Sequence, residues 1–446
     1  MKIRTSVSKI KQRLFRYTGR LLGRNVAIAE GRLNWFGIPL WQYERSLLSR
    51  FRYYTGIPNF QYTAVEHTET QCDISDDALC YILSVDCGEL VTVDRFSDPD
   101  ISERFSYWRG YFAAALPFYR SWLKSQNISN LLLVHGFMPE TICLRHLAIR
   151  MGIQAVVIEP TARKDRILWD TLSLIPVNRN LAANYYWRYQ DDVTNEEANN
   201  YWEESWNSID SMKRHEHQTS GQASYVPKVK KPVFLFLGQV YTDASIIFGI
   251  DSYQTPENLI HCLLKVAEEK NAELVIKLHP KENSDIGDPL FKRPYNNVTF
   301  RQMMKIPQVK TAVNSGRVVV DSENKMNTYR LIEKADVVIT LNSQAGLEAA
   351  AFGKPVVTCG KGFYTDLGFT LDAHHPDDLL HALTRALQTG ESLSMEARRF
   401  YTIFFTRYCV PYDAERLVAL LFDGSRRVSG TVSGSIHSSK SVVSHA

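Results

Sequence analysis

Short apolar runs, typical of buried parallel strands, alternate along this chain with stretches that have the period of amphipathic helices. The clearest example spans residues 335–370. A strand is predicted at 337–341, Ser343 is suited to cap a helix of small residues, and 356–359 predicts the next strand. The free N–H groups and positive dipole end of that helix offer a seat for a phosphate.

The same alternation predicts most of the remaining elements. In the first half, strands are expected at residues 81–85, 90–93, 131–134 and 154–158, and helices at 102–126 (interrupted at Pro117) and 139–151. In the second half, strands are expected at residues 233–237, 273–278 and 317–320, and helices at 256–270, 328–334 and 376–388. Residues 25–75 are rich in aromatic side chains and have no clear period.

The elements indicate an α/β protein, and a length of 446 residues favours two domains over one core. Six segments are predicted, namely a basic amphipathic segment at 1–24, an acceptor-side α/β domain at 25–214, a linker at 215–231, a nucleotide-binding domain at 232–395, crossing helices at 396–424 and a disordered tail at 425–446. The polar, non-periodic linker also contains His215 and His217, but no further ligands stand near them, so no metal site is predicted.

The composition is that of a globular protein, with 44% hydrophobic and 22% charged residues. No apolar run reaches the length of a membrane span, and the N-terminus lacks the apolar region of a signal peptide. The seven cysteines include no Cys-x-x-Cys pair. These features predict a cytoplasmic protein with reduced thiols.

Charge is concentrated at the N-terminus. Residues 1–24 contain eight Lys or Arg and no acid, which leaves 44 basic residues against 48 acidic ones in the rest of the chain. Apolar residues recur at helical spacing within this segment, a pattern that suits the anionic surface of the inner membrane. The alternatives are a loosely ordered arm or a helix packed on the body. Nucleic-acid binding is not expected, because the remainder is mildly acidic.

Polar residues follow several predicted strands, at the edge where open α/β sheets bind their ligands. His135 and Glu159 follow two strands of the first domain and are candidate cleft residues. In the second domain, three strand ends carry the candidates Gln239 and Asp243; Lys277, His279, Pro280 and Lys281; and Asn342, Ser343, Gln344 and Glu348. A histidine fixed beside a proline, with nearby lysines and a helix N-terminus, predicts a nucleotide-phosphate site.

Several motifs resemble the capsule polysaccharide biosynthesis family, whose characterised members are retaining β-Kdo glycosyltransferases of GT-B fold. They are LGQVYTDAS, KLHPKE and NSQAGLEAAAFGKPVVTCGKGFYTDLGFT in the second domain, HGFMPETICLRHLAIRMGIQAVVIEPTARKDRILWD in the first, and RFYTIFFTRYCVP near the C-terminus. The resemblance covers roughly residues 128–412. It implies two Rossmann-like domains that face a cleft, with a C-terminal helix crossing back.

The resemblance also implies substrates and roles. The donor would be CMP-Kdo, with His279 and Pro280 at its phosphate and Ser343, Gln344 and Glu348 at the nucleotide. A lipid or glycan acceptor would bind mainly to the first domain, where Glu159, Arg163 and Asp165 match the segment that faces the cleft. Retention by two displacements needs a carboxylate nucleophile and an acid/base, and Glu159 is the first candidate and Asp165 the second. No cofactor besides the nucleotide sugar is expected.

The chain departs from the family at one point, because Glu159 is followed by Pro160, Thr161 and Ala162 rather than by a glycine-rich run. Two alternatives therefore stay open. One is a GT-B transferase or epimerase that uses another nucleotide sugar, such as a UDP-sugar. The other is a non-catalytic component of polysaccharide assembly or export. Nucleotide binding distinguishes them.

Overall fold

The computed structural model describes residues 25–29, 52–55, 60, 73–134, 136–161, 163, 165–170, 175–216, 225–227, 231–250, 252–283, 294–388 and 393–411. The predicted basic segment at 1–24, the predicted tail at 425–446, His135 and His217 lie outside these residues. Within the described helices, none is long and apolar enough to cross a membrane.

The first unit is built around a mixed sheet. Its strands and helices are β1 (Asn25–Ala29), β2 (Arg52–Thr55), α1 (Asp76–Cys87), α2 (Ser102–Ser125), β3 (Asn130–Val134), α3 (Pro139–Met151), β4 (Gln154–Pro160), β5 (Arg166–Asp170), α4 (Ile175–Tyr189) and α5 (Asn195–Glu216).

The second unit alternates strands and helices more regularly. It consists of β6 (Val233–Leu237), α6 (Ala244–Gly249), α7 (Pro256–Glu269), β7 (Glu273–Lys277), α8 (Val298–Met303), α9 (Pro307–Asn314), β8 (Val318–Asp321), α10 (Thr328–Lys334), β9 (Val337–Thr340), α11 (Gln344–Ala351), β10 (Val356–Thr358), β11 (Leu371–Asp372) and α12 (Pro376–Gln388). The chain then continues through α13 (Ser394–Ile403), a π-helical turn (Phe404–Tyr408) and β12 (Val410–Pro411).

The strands of the described residues form two six-stranded sheets. The second sheet has the order β11-β10-β9-β6-β7-β8, and all its pairs are parallel. This is the strand order 3-2-1-4-5-6 of a Rossmann fold. The first sheet has the order β12-β5-β4-β3-β1-β2, in which β2, β1, β3 and β4 are parallel and the two edge strands β5 and β12 are antiparallel.

The strand predicted at residues 81–85 is wrong, since these residues lie in α1. The side chain of Ser75 caps this helix, Asp76 and Asp77 occupy its first turn, and Gly88, with φ 72°, ends it in the left-handed conformation. These capping signals at both ends outweigh the strand propensity of the apolar run between them.

Three other local predictions for the first unit are also wrong. Residues 90–93 form no strand, and the N–H of Val91 instead donates to Ser84 Oγ at 2.9 Å. Residues 25–75 are not wholly irregular, because β1 and β2 join the sheet beside β3. Pro117 does not interrupt α2, which continues past it to Ser125 with the proline on its exposed side.

The C-terminal segment connects the two units, as the predicted fold class requires. Arg398 on α13 donates to the Asn199 side chain of α5 at 2.8 Å and to the carbonyl of Ala351 on α11 at 2.9 Å. Beyond the π turn, β12 pairs with β5 and so adds an edge strand to the first sheet. The prediction of a GT-B-like α/β protein with two Rossmann-like units and a returning C-terminal helix is confirmed.

Candidate active site

The second sheet has a cleft at the point where its strand order reverses, between β6 and β9. Open parallel sheets bind ligands outside the carboxyl ends of their strands at this reversal. The cleft has a volume of about 290 Å³. It is lined by Leu237, Gly238, Lys277, Leu278, His279, Pro280, Lys281, Thr328, Tyr329, Ser343, Gln344, Ala345 and Glu348. Seven of the predicted site residues thus come together.

His279 follows β7 and is held in a defined tautomer. Its Nδ1 accepts the backbone N–H of Lys281 at 3.2 Å, so the neutral imidazole carries its proton on Nε2. Pro280 begins a 3₁₀ turn, Pro280–Asn283, that fixes the loop directly after the ring. His279 can therefore present one N–H donor to an anionic ligand in the cleft.

Glu282 anchors this loop from beneath, although sequence analysis assigned it no role. The residue is fully buried, and its carboxylate accepts the N–H of Tyr241 at 2.9 Å and both the N–H and the hydroxyl of Thr299, at 3.1 and 2.7 Å. Burial raises the pKa of Glu282 to about 7. The hydrogen bonds from Thr299 and Tyr241 favour the ionised form and so lower the pKa, but burial has the larger effect. The loop is thereby tied to the end of β6 and to the start of α8.

Lys277 lines the cleft, but its charge is already paired. Its Nζ lies 2.7 Å from Asp321 Oδ2 on β8 and also donates to Asn324. Burial lowers the pKa of Lys277, while the hydrogen bond and charge of Asp321 oppose that shift. The positive charge predicted from this residue is therefore offset by Asp321, and Lys281 is the other cleft lysine.

The start of α11 forms the opposite wall. Ser343 caps the helix by accepting the N–H of Ala345 at 3.3 Å. One turn later the buried Glu348 accepts hydrogen bonds from Gln344 Nε2 at 3.3 Å and from the Tyr329 hydroxyl at 3.0 Å. The wall thus combines a helix N-terminus with a carboxylate that two donors hold in place.

A loop after β10 explains the glycine in this helix. The hydroxyl of Tyr364 donates to the carbonyl of Ser343 at 2.6 Å, beneath the helix start. A Cβ at Gly346 would overlap this hydroxyl and would lie 2.7 Å from Thr340 Cγ2. Only glycine lets the helix approach the strand and the loop this closely.

Gln239, Asp243 and Asn342 are brought together beside the cleft by hydrogen bonds that all involve Ser245, and Gln239 also bonds to Asn342 directly. Gln239 accepts the N–H of Asn342 at 3.1 Å and donates to Ser245 Oγ at 2.7 Å. Asp243 caps α6 and accepts the Ser245 hydroxyl at 2.6 Å, while Asn342 Nδ2 donates to the Ser245 carbonyl at 2.6 Å. The three residues therefore join the ends of β6 and β9 to α6.

Glu159, Arg163 and Asp165 of the first unit are not among the residues that line the cleft. Glu159 is on β4, opposite Leu168 of β5. Arg163 packs over the ring of Tyr201 on α5, with 4.8 Å between its Cζ and the ring centroid, and pairs with Asp165 at 2.9 Å. Burial opposes ionisation of Asp165, but the hydrogen bond and charge of Arg163 lower its pKa overall.

The contacts between the two units include an aromatic group. Phe248 on α6 stacks on Tyr81 of α1 and on Phe137, with ring centroids 6.0 and 5.4 Å apart. The helix that carries this ring is the one capped by Asp243. The first unit therefore touches the element that orders the ends of β6 and β9.

Sequence analysis missed Thr328 and Tyr329 in the cleft and Glu282 beneath it. Thr328 and Tyr329 begin the helix that follows β8. They therefore also lie beyond the carboxyl end of a strand, where open α/β sheets bind their ligands. Glu282 follows the His-Pro pair directly, and the motif KLHPKE contains it. No local pattern indicates that its carboxylate is buried.

The chain is similar to one family model and to several solved structures. Residues 181–391 match the family model described as capsule polysaccharide biosynthesis protein. No curated protein matches the chain. Among solved structures, the beta Kdo 2,7 transferase of Thermosulfurimonas dismutans KpsC is 19% identical with a TM-score of 0.39, over 68% of this chain and 87% of that one.

Two further solved structures are similar at lower identity. The beta Kdo 2,4 transferase of the same KpsC is 17% identical with a TM-score of 0.41, over 61% of this chain and 79% of that one. The UDP-GlcNAc 2-epimerase of Methanocaldococcus jannaschii is 10% identical with a TM-score of 0.31, over 74% of this chain and 96% of that one.

The fold is that of a GT-B-like protein whose second Rossmann-like unit carries the cleft. The resemblance to the capsule polysaccharide biosynthesis family is confirmed over residues 181–391, a region that contains every residue lining the cleft. Glu159, Arg163 and Asp165 precede this region, and their roles stay predictions.

Proposed function

We propose that the protein is a glycosyltransferase of capsular or surface polysaccharide biosynthesis, which transfers Kdo from CMP-Kdo to a lipid or glycan acceptor. One observation carries the proposal: His279, the N-terminus of α11 and Glu348 meet in one cleft at the reversal point of a Rossmann-like sheet. This combination supplies donors for a phosphate and an acceptor for a hydroxyl. The family match over residues 181–391 supports the polysaccharide pathway.

The cleft suits the departure of a nucleoside monophosphate. In CMP-Kdo the bond that breaks joins the anomeric carbon to the phosphate, so negative charge develops on the phosphate oxygens. The Nε2–H of His279 is a hydrogen-bond donor at this place, the N-terminus of α11 is the positive end of a helix dipole, and Lys281 adds a positive charge nearby. Donors fixed before the reaction stabilise such charge without reorganising.

Transfer with retention would use a carboxylate of the first unit. A carboxylate attacks the anomeric carbon and displaces CMP; the acceptor hydroxyl then gives its proton to the acid/base group, and its oxygen displaces the carboxylate from that carbon. Glu159 remains the first candidate because it lies near the end of β4, and Asp165, held ionised by Arg163, is the second. The acceptor would bind on this unit.

Nucleotide-induced stabilisation tests the proposal. CMP at about 100 times its dissociation constant should add about 2.7 kcal/mol to the stability of the folded state, visible as a rise in Tm. UDP and GDP at the same concentration should have little effect. Equal stabilisation by UDP would favour a UDP-sugar enzyme, and no response to any nucleotide would favour a non-catalytic assembly component.

We further propose that the basic segment at residues 1–24 holds the protein on an anionic membrane surface. The segment has eight basic side chains and no acidic one, and this positive charge supports binding to an anionic surface. Deleting the segment should reduce sedimentation with phosphatidylglycerol vesicles, most clearly at low salt, while neutral vesicles serve as the control. Vesicle binding that survives the deletion would assign the contact to another surface.

A further inference from the structure

Tyr329 lies in the cleft and contacts its carboxylate. The residue begins α10, and its hydroxyl donates to Glu348 Oε2 at 3.0 Å. The other oxygen of the same carboxylate receives Gln344 Nε2 at 3.3 Å. Tyr329, Gln344 and Glu348 all line the cleft, so these bonds fix the carboxylate at the surface that a ligand would meet.

The position of the Tyr329 hydroxyl is itself fixed from two sides. The side chain of Asn327 accepts the N–H of Tyr329 at 2.9 Å and so sets the backbone at the helix start. Trp206 of α5 meets the tyrosine ring edge to face, with centroids 4.7 Å apart. Trp206 in turn packs on Phe352, which follows α11, with centroids 4.4 Å apart. The ring therefore has little freedom to turn.

We infer that Tyr329 is a positioning residue of the nucleotide site, which holds the Glu348 carboxylate in the orientation that receives a ligand hydroxyl. A buried carboxylate needs hydrogen-bond donors of its own, and without them it turns away from the ligand. The inference rests on the proposed function, because it assumes that a nucleotide occupies this cleft. It adds that α5, through Trp206, completes the site from outside the second sheet.

The test is a double-mutant cycle measured by calorimetric titration with CMP. Tyr329→Phe keeps the ring contacts and removes only the hydroxyl, and CMP affinity should fall about tenfold. Glu348→Leu removes the acceptor at similar volume. If Tyr329 acts through Glu348, adding Tyr329→Phe to Glu348→Leu should change affinity by less than about twofold.

A matched control is Tyr253→Phe. The Tyr253 hydroxyl is also buried and donates to the carbonyls of Ala373 and His375, at 3.0 and 3.2 Å, but it does not line the cleft. This variant should bind CMP as the parent does. The Tm of each variant, compared with that of the parent, shows that the variant is folded before its CMP affinity is measured.

The outcomes separate the two proposals. A parent protein that does not bind CMP overturns the proposed function, and the inference with it. A parent that binds CMP, with Tyr329→Phe binding equally well, overturns the inference alone. Equal losses from Tyr329→Phe with and without Glu348 would also overturn it, since the tyrosine would then act independently of the carboxylate.

Discussion

At the scale of single residues, the proposed phosphate contact of His279 is the most direct one to test. Its Nδ1 is occupied by the N–H of Lys281, which directs the Nε2 proton to other acceptors. His279→Ala should therefore weaken CMP binding by about 1.5–3 kcal/mol, the cost of one hydrogen bond to a charged group. Calorimetric titration with CMP measures this directly.

Cytidine, which lacks the phosphate, is the internal control, and its affinity should not change. His375→Ala is a control variant, because His375 lies before α12 and its side chain is 55% exposed. A His279→Ala protein that binds CMP as tightly as the parent would reduce the His-Pro loop to a structural role.

Lys277 shows which part of a side chain's environment can be predicted from the sequence and which part cannot. The position of Lys277 in the cleft was predictable from the strand it ends. Its ion pair with Asp321 was not, because the two residues are 44 positions apart and meet only when β7 and β8 pair. The sequence therefore predicts where this lysine lies, but it does not predict that another residue offsets its charge.

At the scale of elements, Glu282 connects three segments, namely its own 3₁₀ turn, the residues after β6 and the start of α8. Burial raises the pKa of Glu282 from 4.5 to about 7, so the folded protein binds this proton more tightly than the unfolded chain does. The stability contributed by this proton is fully present below pH 4.5 and is lost as the pH rises through about 7.

Glu282→Gln has no such titration. The free energy of unfolding of the parent should therefore fall relative to that of Glu282→Gln by on the order of 3 kcal/mol between about pH 5 and about pH 8. A falling Tm of the parent relative to the variant measures this loss. Glu268→Gln, at a half-exposed ion pair with Arg317, is the comparison variant. A constant difference between parent and Glu282→Gln across this range would contradict the raised pKa.

The elements of the second unit were predictable because each pairs an apolar run with a helix of clear period. All the strands expected there are present, and α10, α11 and α12 lie where the pattern predicted. The elements of the first unit were harder to predict from the sequence. The run at 81–85 has strand composition but helix caps, and β5 and β12 are edge strands whose pairing depends on distant partners. Local pattern cannot encode such pairings.

At the scale of the whole molecule, the chain joins its two units repeatedly. Helix α5 precedes the second sheet in sequence, yet Trp202 packs on Tyr401 of α13 and on Phe352. Strand β12 then returns to the first sheet. The predicted boundary between domains at residue 215 remains a prediction. Trp206 of α5 packs on Tyr329, which lines the cleft, so this helix supports the cleft wall.

The cleft lies wholly in the second unit, whereas Glu159 lies on β4 of the first. If the second unit binds the donor and the first unit carries out sugar transfer, a mutation can affect one activity without the other. Glu159→Gln keeps the size of the side chain and removes its charge, so transfer should fall by about 10²-fold or more while CMP binds as in the parent. Asp165→Asn is the comparison, because that carboxylate already pairs with Arg163 at 2.9 Å. A Glu159→Gln protein that folds, binds CMP and transfers sugar at the parental rate would exclude Glu159, and loss of transfer in Asp165→Asn alone would assign the role to Asp165.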